Sequence, residues 1–115
     1  MRSPEEDALA FQLTAVGLTG FERQYRYAKP RKLAADFAWP ESRLLVEVQG
    51  GIWGRKAHGS ITGILADIDR LNAATLAGWR LLRVTPEMVK SGEALQLIER
   101  VLGTELSGNS GRLGQ

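Results

Sequence analysis

Apolar and polar positions follow two different periods along this chain. Apolar residues three and four positions apart predict amphipathic helices, and strict alternation predicts strands. The first three strands are joined by short turns, which predicts an antiparallel meander, whereas the fourth follows a helix and suits parallel pairing. The expected fold class is therefore α/β, with one mixed sheet flanked by helices. The predicted elements are a helix at 3–17, strands at 21–28, 33–38 and 43–49, a helix at 64–77, a strand at 79–85 and a helix at 94–102.

Capping residues and an apolar stripe define the first helix. The segment Ser3-Pro4-Glu5-Glu6 combines a capping serine, a proline at the first helical position and a glutamate three residues after the serine, which is typical of a helix start. Leu9, Phe11, Leu13 and Val16 form the predicted apolar stripe of this helix, with Phe11 off the ideal phase.

Glycine and proline mark the later connections. Residues 50–63 are Gly-rich, contain the only histidine, His58, and predict a loop with a functional role. Pro86 predicts a turn after the fourth strand. From Gly103 onward the chain is rich in Gly and Ser, so we expect a single domain at 1–103 and a flexible C-terminal tail at 104–115.

The composition is that of an ordinary soluble globular protein. The 115 residues suit one domain, and 43% of them are apolar and 24% charged. The sequence has no apolar run long enough to span a membrane, and its acidic N-terminus is unlike a signal peptide. The absence of cysteine excludes disulfides, thiol nucleophiles and cysteine-ligated zinc. We therefore expect a cytoplasmic protein with no membrane partner.

Basic residues are concentrated around the first strand. The net charge is only +2, although the sequence pI is about 9.3. Residues 23–32 contain no acid and interleave five cations with Tyr25 and Tyr27, which is typical of a phosphate-binding surface and makes DNA the expected partner. The alternative is a solvent-exposed strand and turn. The cations are Arg23, Arg26, Lys29, Arg31 and Lys32.

Two carboxylates interrupt strands that are otherwise apolar. Asp36 lies between the small residues Ala34 and Ala38 on one face of the second strand, and Glu47 shares a face of the third strand with Gln49. The short turn between these strands lets them pair, which brings the two carboxylates close. They would repel each other in a poorly solvated site, and a hard divalent cation such as Mg²⁺ would offset the repulsion. The alternative is an aspartate satisfied by backbone donors and a solvent-facing glutamate.

Five ordered segments extend this pattern: Asp36-Phe37-Ala38, Glu47-Val48-Gln49-Gly50-Gly51, Ala57-His58-Gly59, Asp67-Ile68-Asp69-Arg70-Leu71-Asn72 and Gly78-Trp79-Arg80. Together with the order of helices and strands, they resemble the PD-(D/E)xK nuclease superfamily and, more narrowly, small endonucleases encoded by phages and prophages. The resemblance covers roughly residues 3–102. It implies a restriction-endonuclease-like αβββαβ core. It also implies a DNA endonuclease that hydrolyses phosphodiester bonds with Mg²⁺, for which Mn²⁺ can substitute.

The resemblance implies a role for each acidic residue of the pattern. Asp36 and Glu47 would bind the metal together with the Val48 carbonyl, and Glu6 on the first helix would supplement them. Gln49 stands where the superfamily usually has lysine. A glutamine supplies no charge, so it would hold the attacking water by hydrogen bonding.

The remaining residues of the pattern would contact DNA. Arg70 stands where the phage relatives often have lysine, and it would contact the phosphate and stabilise the developing charge. Its alternative role is an ion pair with Asp67, three residues earlier on the same helix. His58 and Asn72 would also touch DNA, although a loop histidine is often merely exposed. For Glu6, the alternative is helix capping.

Two other functions are compatible with the sequence. A junction or mismatch nuclease would act on DNA structure, and a homodimer would favour the junction enzyme because two cuts need two sites. The absence of the usual lysine favours a member of the fold that binds DNA without cleaving it.

Overall fold

The computed structural model describes residues 3–49 and 60–110, with side chains up to Gly103. The elements are α1 (Pro4–Ala15), β1 (Glu22–Arg26), β2 (Ala34–Trp39), β3 (Leu44–Val48), α2 (Ile61–Leu76), β4 (Arg80–Val84), α3 (Pro86–Ser91) and α4 (Glu93–Ser110). The protein is thus mixed α/β, and the predicted order of elements through β4 is confirmed. In the described ranges, no helix is both long and apolar enough to cross a membrane.

The described strands form one four-stranded mixed sheet in the order β1-β2-β3-β4. Neighbours are antiparallel up to β3, and β3 pairs with β4 in parallel because α2 lies between them in the chain. Between β2 and β3 the chain turns through a short 3₁₀ helix at Pro40–Ser42, after which Arg43 is left-handed with φ of 53°. This tight connection sets the register in which Phe37 faces Val46.

One face of the sheet carries the larger hydrophobic core and is termed the apolar side. It packs against α1, α3 and α4, from which Leu9, Val89 and Ile98 are fully buried. Phe37 and Val46 meet them from the sheet. Burial of such side chains is the main favourable term in folding.

The opposite face, termed the polar side, has a smaller core. Tyr27, Leu45 and Trp79 pack there against Ala73 and Ala74 of α2. Two alanines bury little apolar area, so α2 is joined to the sheet less extensively than the helices of the apolar side.

The orientation of α2 is inverted relative to an ordinary surface helix. Asp67, Arg70 and Ala74 lie on its sheet-facing arc and are at least half-buried. Its large aliphatic residues face solvent, and the surface that they form is termed the α2 face. The residues of the α2 face are Ile61, Ile64, Leu65, Ile68, Leu71 and Leu76.

The chain after β4 differs from the prediction. Helix α3 replaces the turn expected at Pro86, because the Thr85 hydroxyl accepts a hydrogen bond of 3.1 Å from the Met88 N–H and caps the helix. Helix α4 continues to Ser110, beyond the predicted end at Leu102. The flexibility of residues 104–115 stays a prediction.

Two other helices differ in detail. Helix α2 begins at Ile61 rather than Ile64, since the Ser60 hydroxyl accepts a hydrogen bond of 2.8 Å from a backbone N–H of the first turn. In α1, Phe11 is 76% exposed, so its placement in the apolar stripe is wrong, because it lies off the phase of the buried residues Leu9 and Leu13. Val16 is also exposed, because the helix ends at Ala15.

Candidate active site

The candidate site begins where β2 and β3 separate. Their backbone pairing runs as far as Phe37 opposite Val46. At the next position, the Asp36 carboxylate accepts a hydrogen bond of 2.8 Å from the Val48 N–H. A side chain therefore takes the place of a strand carbonyl, while β2 continues alongside β1 and β3 alongside β4. This gap is termed the strand fork.

Asp36 and Glu47 occupy the two arms of the strand fork. They are the next positions after the last backbone pair, so the register places them side by side, as the short turn predicts. The sequence also allowed an aspartate satisfied by backbone donors and a glutamate that faces solvent. Asp36 does accept a backbone donor, whereas Glu47 is only 7% exposed and does not face solvent.

A glutamine connects Asp36 to the first helix. The Gln24 side-chain amide donates to Glu6 at 3.1 Å and to Asp36 at 3.5 Å. Gln24 has a positive φ of 52°, an unusual backbone conformation for a strand residue. The Ser3 hydroxyl caps α1 by accepting the Glu6 N–H at 3.1 Å, while the Glu6 carboxylate, 7% exposed, lies at the site.

These carboxyl groups carry an electrostatic cost in the folded protein. Burial raises the pKa of Asp36, and the charge of Glu47 raises it further, although the hydrogen bond from the Val48 N–H acts in the opposite direction. Burial also raises the pKa of Glu6, as does the charge of Asp36. The site therefore holds more negative charge than its surroundings solvate well.

Two guanidinium groups hold Glu47 from the polar side. Arg70 donates to one carboxylate oxygen and also to the Ala34 carbonyl at 2.9 Å. Arg83, which lies opposite Glu47 in the parallel register, donates to the other oxygen at 3.3 Å. Arg83 also pairs with Asp67 at 3.2 Å, so the alternative Arg70–Asp67 pair does not form.

Unused hydrogen-bond donors surround this ion pair. In the described part of the chain, the Tyr27 hydroxyl and one terminal nitrogen of Arg83 are buried without a hydrogen-bond partner. Burial raises the pKa of the Tyr27 hydroxyl, and Arg70 and Glu47 are close enough to act on it electrostatically. Buried polar groups are usually paired, so two unpaired donors beside Glu47 are unusual.

The charge balance and the donor set suit a divalent cation. Counted over the described residues, the linked cluster has five carboxylates and three guanidiniums, an excess of two negative charges. Mg²⁺ takes one or two carboxylates with carbonyl and water oxygens, which matches Asp36 and Glu47. Across the two described ranges, no three acidic or histidine side chains converge as ligands of one metal. The members of the cluster are Glu6, Asp7, Asp36, Glu47, Asp67, Arg23, Arg70 and Arg83.

Other predicted site residues lie at different places. Gln49 follows β3 directly, half-buried, and its N–H donates to the Val84 carbonyl at 2.7 Å. Asn72 is exposed among the residues of the α2 face, away from the strand fork. His58 lies outside the described residues, as do Gly50 and Gly51.

The cations expected to contact DNA are divided between two environments. Arg23 is largely buried, packs over the Phe37 ring at 5.1 Å and pairs with Asp7 at 3.0 Å. The others are exposed, and one of them, Arg31, pairs with Asp69. The exposed cations are Arg26, Lys29, Arg31 and Lys32.

An open depression on the polar side brings some of these cations together. Arg26 and Lys29 line it with Arg43, whose guanidinium stacks on the Trp79 ring at 4.3 Å. Tyr25 lies in the same depression and packs edge-on against Trp79. Cations beside aromatic rings are suited to a nucleic-acid backbone and its bases.

Sequence reasoning missed three residues that shape the site and this depression. Arg83 had a signal, because it is a charge within an apolar strand, as Glu47 is. Gln24 had none, since its role follows from a positive φ. Tyr27 was expected on the phosphate-binding surface, but its unpaired buried hydroxyl had no sequence signal. Arg43 acts through its stacking on Trp79.

Comparison of the chain with models of protein families, with curated proteins and with solved structures finds no match.

Proposed function

We propose that this protein is a Mg²⁺-dependent DNA endonuclease with a restriction-endonuclease-like core. The observation that carries the proposal is the meeting of Asp36 and Glu47 at the strand fork, beside two guanidiniums and two unpartnered donors. Acids on adjacent strands, next to cations that can bind a phosphate, are the parts that phosphodiester hydrolysis requires.

Each residue of the site has a separate task in this proposal. Asp36 and Glu47 would hold Mg²⁺ with the Val48 carbonyl, and the ion would supply Lewis-acid chemistry when bound. Gln49 orients the attacking water through its amide. Arg70 stays protonated and binds the phosphate rather than accepting a proton.

Arg83 and Tyr27 would complete the binding of the phosphate. The free nitrogen of Arg83 and the Tyr27 hydroxyl donate to non-bridging oxygens, which replaces the hydrogen bonds that both groups lack in the described structure. The depression lined by Arg26, Lys29 and Arg43 would hold the DNA backbone outside the site.

Cleavage of supercoiled plasmid tests this proposal. The parent should nick or linearise the plasmid with Mg²⁺ or Mn²⁺ and should be inactive in EDTA. Asp36→Asn and Glu47→Gln should each lower the rate by about 10²-fold or more, the scale of losing one transition-state contact. Glu99→Gln is the matched control, because Glu99 is an exposed acid of α4.

The outcomes separate this function from its rival. Full activity in either site variant would refute the assignment. DNA binding without cleavage of linear, branched, flapped or mismatched substrates would favour the second candidate, a DNA-binding protein of the same fold. That candidate is favoured by the pairing of both Glu47 oxygens with guanidiniums, which compete with any cation.

A further inference from the structure

Gln24 is the neighbour of Asp36 in the sheet on the side away from Glu47. The side-chain amide nitrogen of Gln24 donates to Glu6 of α1 at 3.1 Å and to Asp36 of β2 at 3.5 Å. A single uncharged NH₂ group therefore joins two carboxylates that come from different elements of the fold. The backbone pairs on either side of this position are Arg23 with Phe37 and Tyr25 with Ala35.

The backbone of β1 changes its facing at Gln24. Residues two apart on a strand normally share a face of the sheet. Here Arg23 packs over the Phe37 ring on the apolar side, whereas Tyr25 packs against Trp79 on the polar side. The positive φ of 52° at Gln24 lies at this change, in a conformation that is costly for a residue with a side chain. Backbone outliers of this kind concentrate at functional sites.

The amide of Gln24 opposes the repulsion between the two carboxylates that it joins. The charge of Asp36 raises the pKa of Glu6, so the two groups are close enough to act on each other. Donation of one N–H to each carboxylate offsets part of this repulsion and fixes the separation of the two groups. Each carboxylate oxygen has two lone pairs, so an oxygen that accepts a hydrogen bond can still bind a cation.

We propose that Gln24 is a positioning residue that holds the Glu6 and Asp36 carboxylates in place for a divalent cation. This role rests on the proposed function, in which the strand fork holds Mg²⁺. Gln24 contacts the carboxylates and not the reacting atoms, so it acts on the affinity for the cation. Its loss therefore raises the concentration of cation that cleavage requires and leaves the rate at saturating cation close to that of the parent.

Binding of Mn²⁺ without DNA, measured from the electron paramagnetic resonance signal of the free ion, tests this role. Gln24→Met keeps the length of the side chain and removes both donors, so its Kd for Mn²⁺ should rise about tenfold or more, the scale of losing a partner of a metal ligand. Asp36→Asn should abolish the binding and so identify the site. Gln12→Met is the matched control, because the Gln12 amide donates to the Val89 carbonyl at 3.1 Å on the apolar side, and its Kd should equal that of the parent.

A second variant separates the loss of these contacts from a loss of folding. Asparagine tolerates a positive φ better than glutamine does, and its side chain is shorter by one methylene group. Gln24→Asn should therefore fold and still bind Mn²⁺ more weakly than the parent. In single-turnover cleavage, both variants should need more Mg²⁺ for half of their maximal rate and should approach the parent's rate at saturation.

The outcomes distinguish failure of this role from failure of the proposed function. Mn²⁺ affinity equal to the parent's in both Gln24 variants overturns the positioning role, as does an equal loss in Gln12→Met. A rate that stays low at saturating Mg²⁺ also overturns it, because Gln24 would then act on the reaction itself. A parent that binds Mn²⁺ through Asp36 and cleaves no DNA refutes the endonuclease alone, since the binding comparison still decides the role of Gln24. A parent that binds no Mn²⁺ refutes both.

Discussion

The two sides of the sheet use buried space differently. On the apolar side, Leu13, Phe37 and Ile98 are fully buried and have no polar groups to satisfy. On the polar side, Glu47 is buried against two arginines, although burying charge is costly even when it is paired. In this small protein, the hydrophobic burial that stabilises the fold lies mostly on the apolar side of the sheet. That stabilisation offsets the cost of the charged groups buried on the polar side.

Truncation of the apolar core should produce the largest effect on folding. Phe37→Ala should lower the free energy of unfolding by about 3–5 kcal/mol, because it removes a fully buried ring and leaves a cavity. Phe11→Ala makes the same chemical change at an exposed position and should shift it by about 0.5 kcal/mol or less. Urea denaturation compares the two, and equal losses would contradict the division between core and surface.

Removal of one guanidinium from the polar side should lower both the cleavage rate and the stability, because Arg70 also pairs with buried Glu47 and donates to the Ala34 carbonyl. Arg70→Ala should lower the single-turnover rate at saturating Mg²⁺ by about 10²-fold or more, the scale of a lost transition-state contact. Arg70→Lys should keep much of the activity, since the positive charge is preserved. Gln49→Ala should cost less, because solvent can replace its hydrogen bond to water. A dead Gln49→Ala beside a fully active Arg70→Ala would reverse these assignments.

Neutralisation of Asp36 should reveal the electrostatic cost of the polar side. Burial raises the pKa of Asp36 in the folded state, so the folded protein binds more protons than the unfolded chain just above the ordinary aspartate pKa. The carboxylate is therefore destabilising once pH exceeds the raised pKa, and the cost disappears below the unfolded pKa. Asp36→Asn keeps an acceptor for the Val48 N–H and avoids this cost.

The comparison is made by denaturing parent and Asp36→Asn in EDTA at several pH values. The stability of the variant relative to the parent should rise as pH increases from about 4 toward 7. A relative stability that instead falls over this range would mean that ion pairing outweighs burial at Asp36.

Among the polar-side variants, the smallest effect on folding is expected at Tyr27. Tyr27→Phe removes a buried hydroxyl that lacks a partner, so stability should be unchanged or should rise by up to about 1 kcal/mol. If the hydroxyl binds the phosphate, the cleavage rate should fall about tenfold, the equivalent of one lost hydrogen bond. A marked loss of stability would show that the hydroxyl has a structural partner.

Local patterns predicted most of the fold. The alternation at 44–48 placed Leu44 and Val46 on one face and Leu45 and Glu47 on the other, as observed. The orientation of α2 was not predictable in this way. Its aliphatic residues form one stripe, but Asp67 and Arg70 belong to a second stripe of helical spacing, and the charges near Glu47 decide which stripe faces the sheet.

The sequence predicted the part of the candidate site that lies on two strands joined by a short turn, because a short turn makes the two strands neighbours in the sheet. The turn after β2 is enough to place Asp36 beside Glu47. Arg83 reaches Glu47 through the parallel register of β4, which the crossover through α2 leaves undetermined in sequence. The contact of Gln24 with Glu6 depends on a positive φ at a residue that is neither glycine nor asparagine.

The residues of the strand fork have a structural role in addition to the proposed catalytic one. The Asp36 carboxylate satisfies the Val48 N–H on one arm, and Arg70 holds the Ala34 carbonyl on the other. Replacement of either side chain by an apolar residue would leave a backbone group without its hydrogen bond and weaken the fold, even in a lineage that no longer needed the reaction. Selection for folding alone would therefore preserve a hydrogen-bonding side chain at both positions, while exposed residues such as Lys29 and Lys32 would change first.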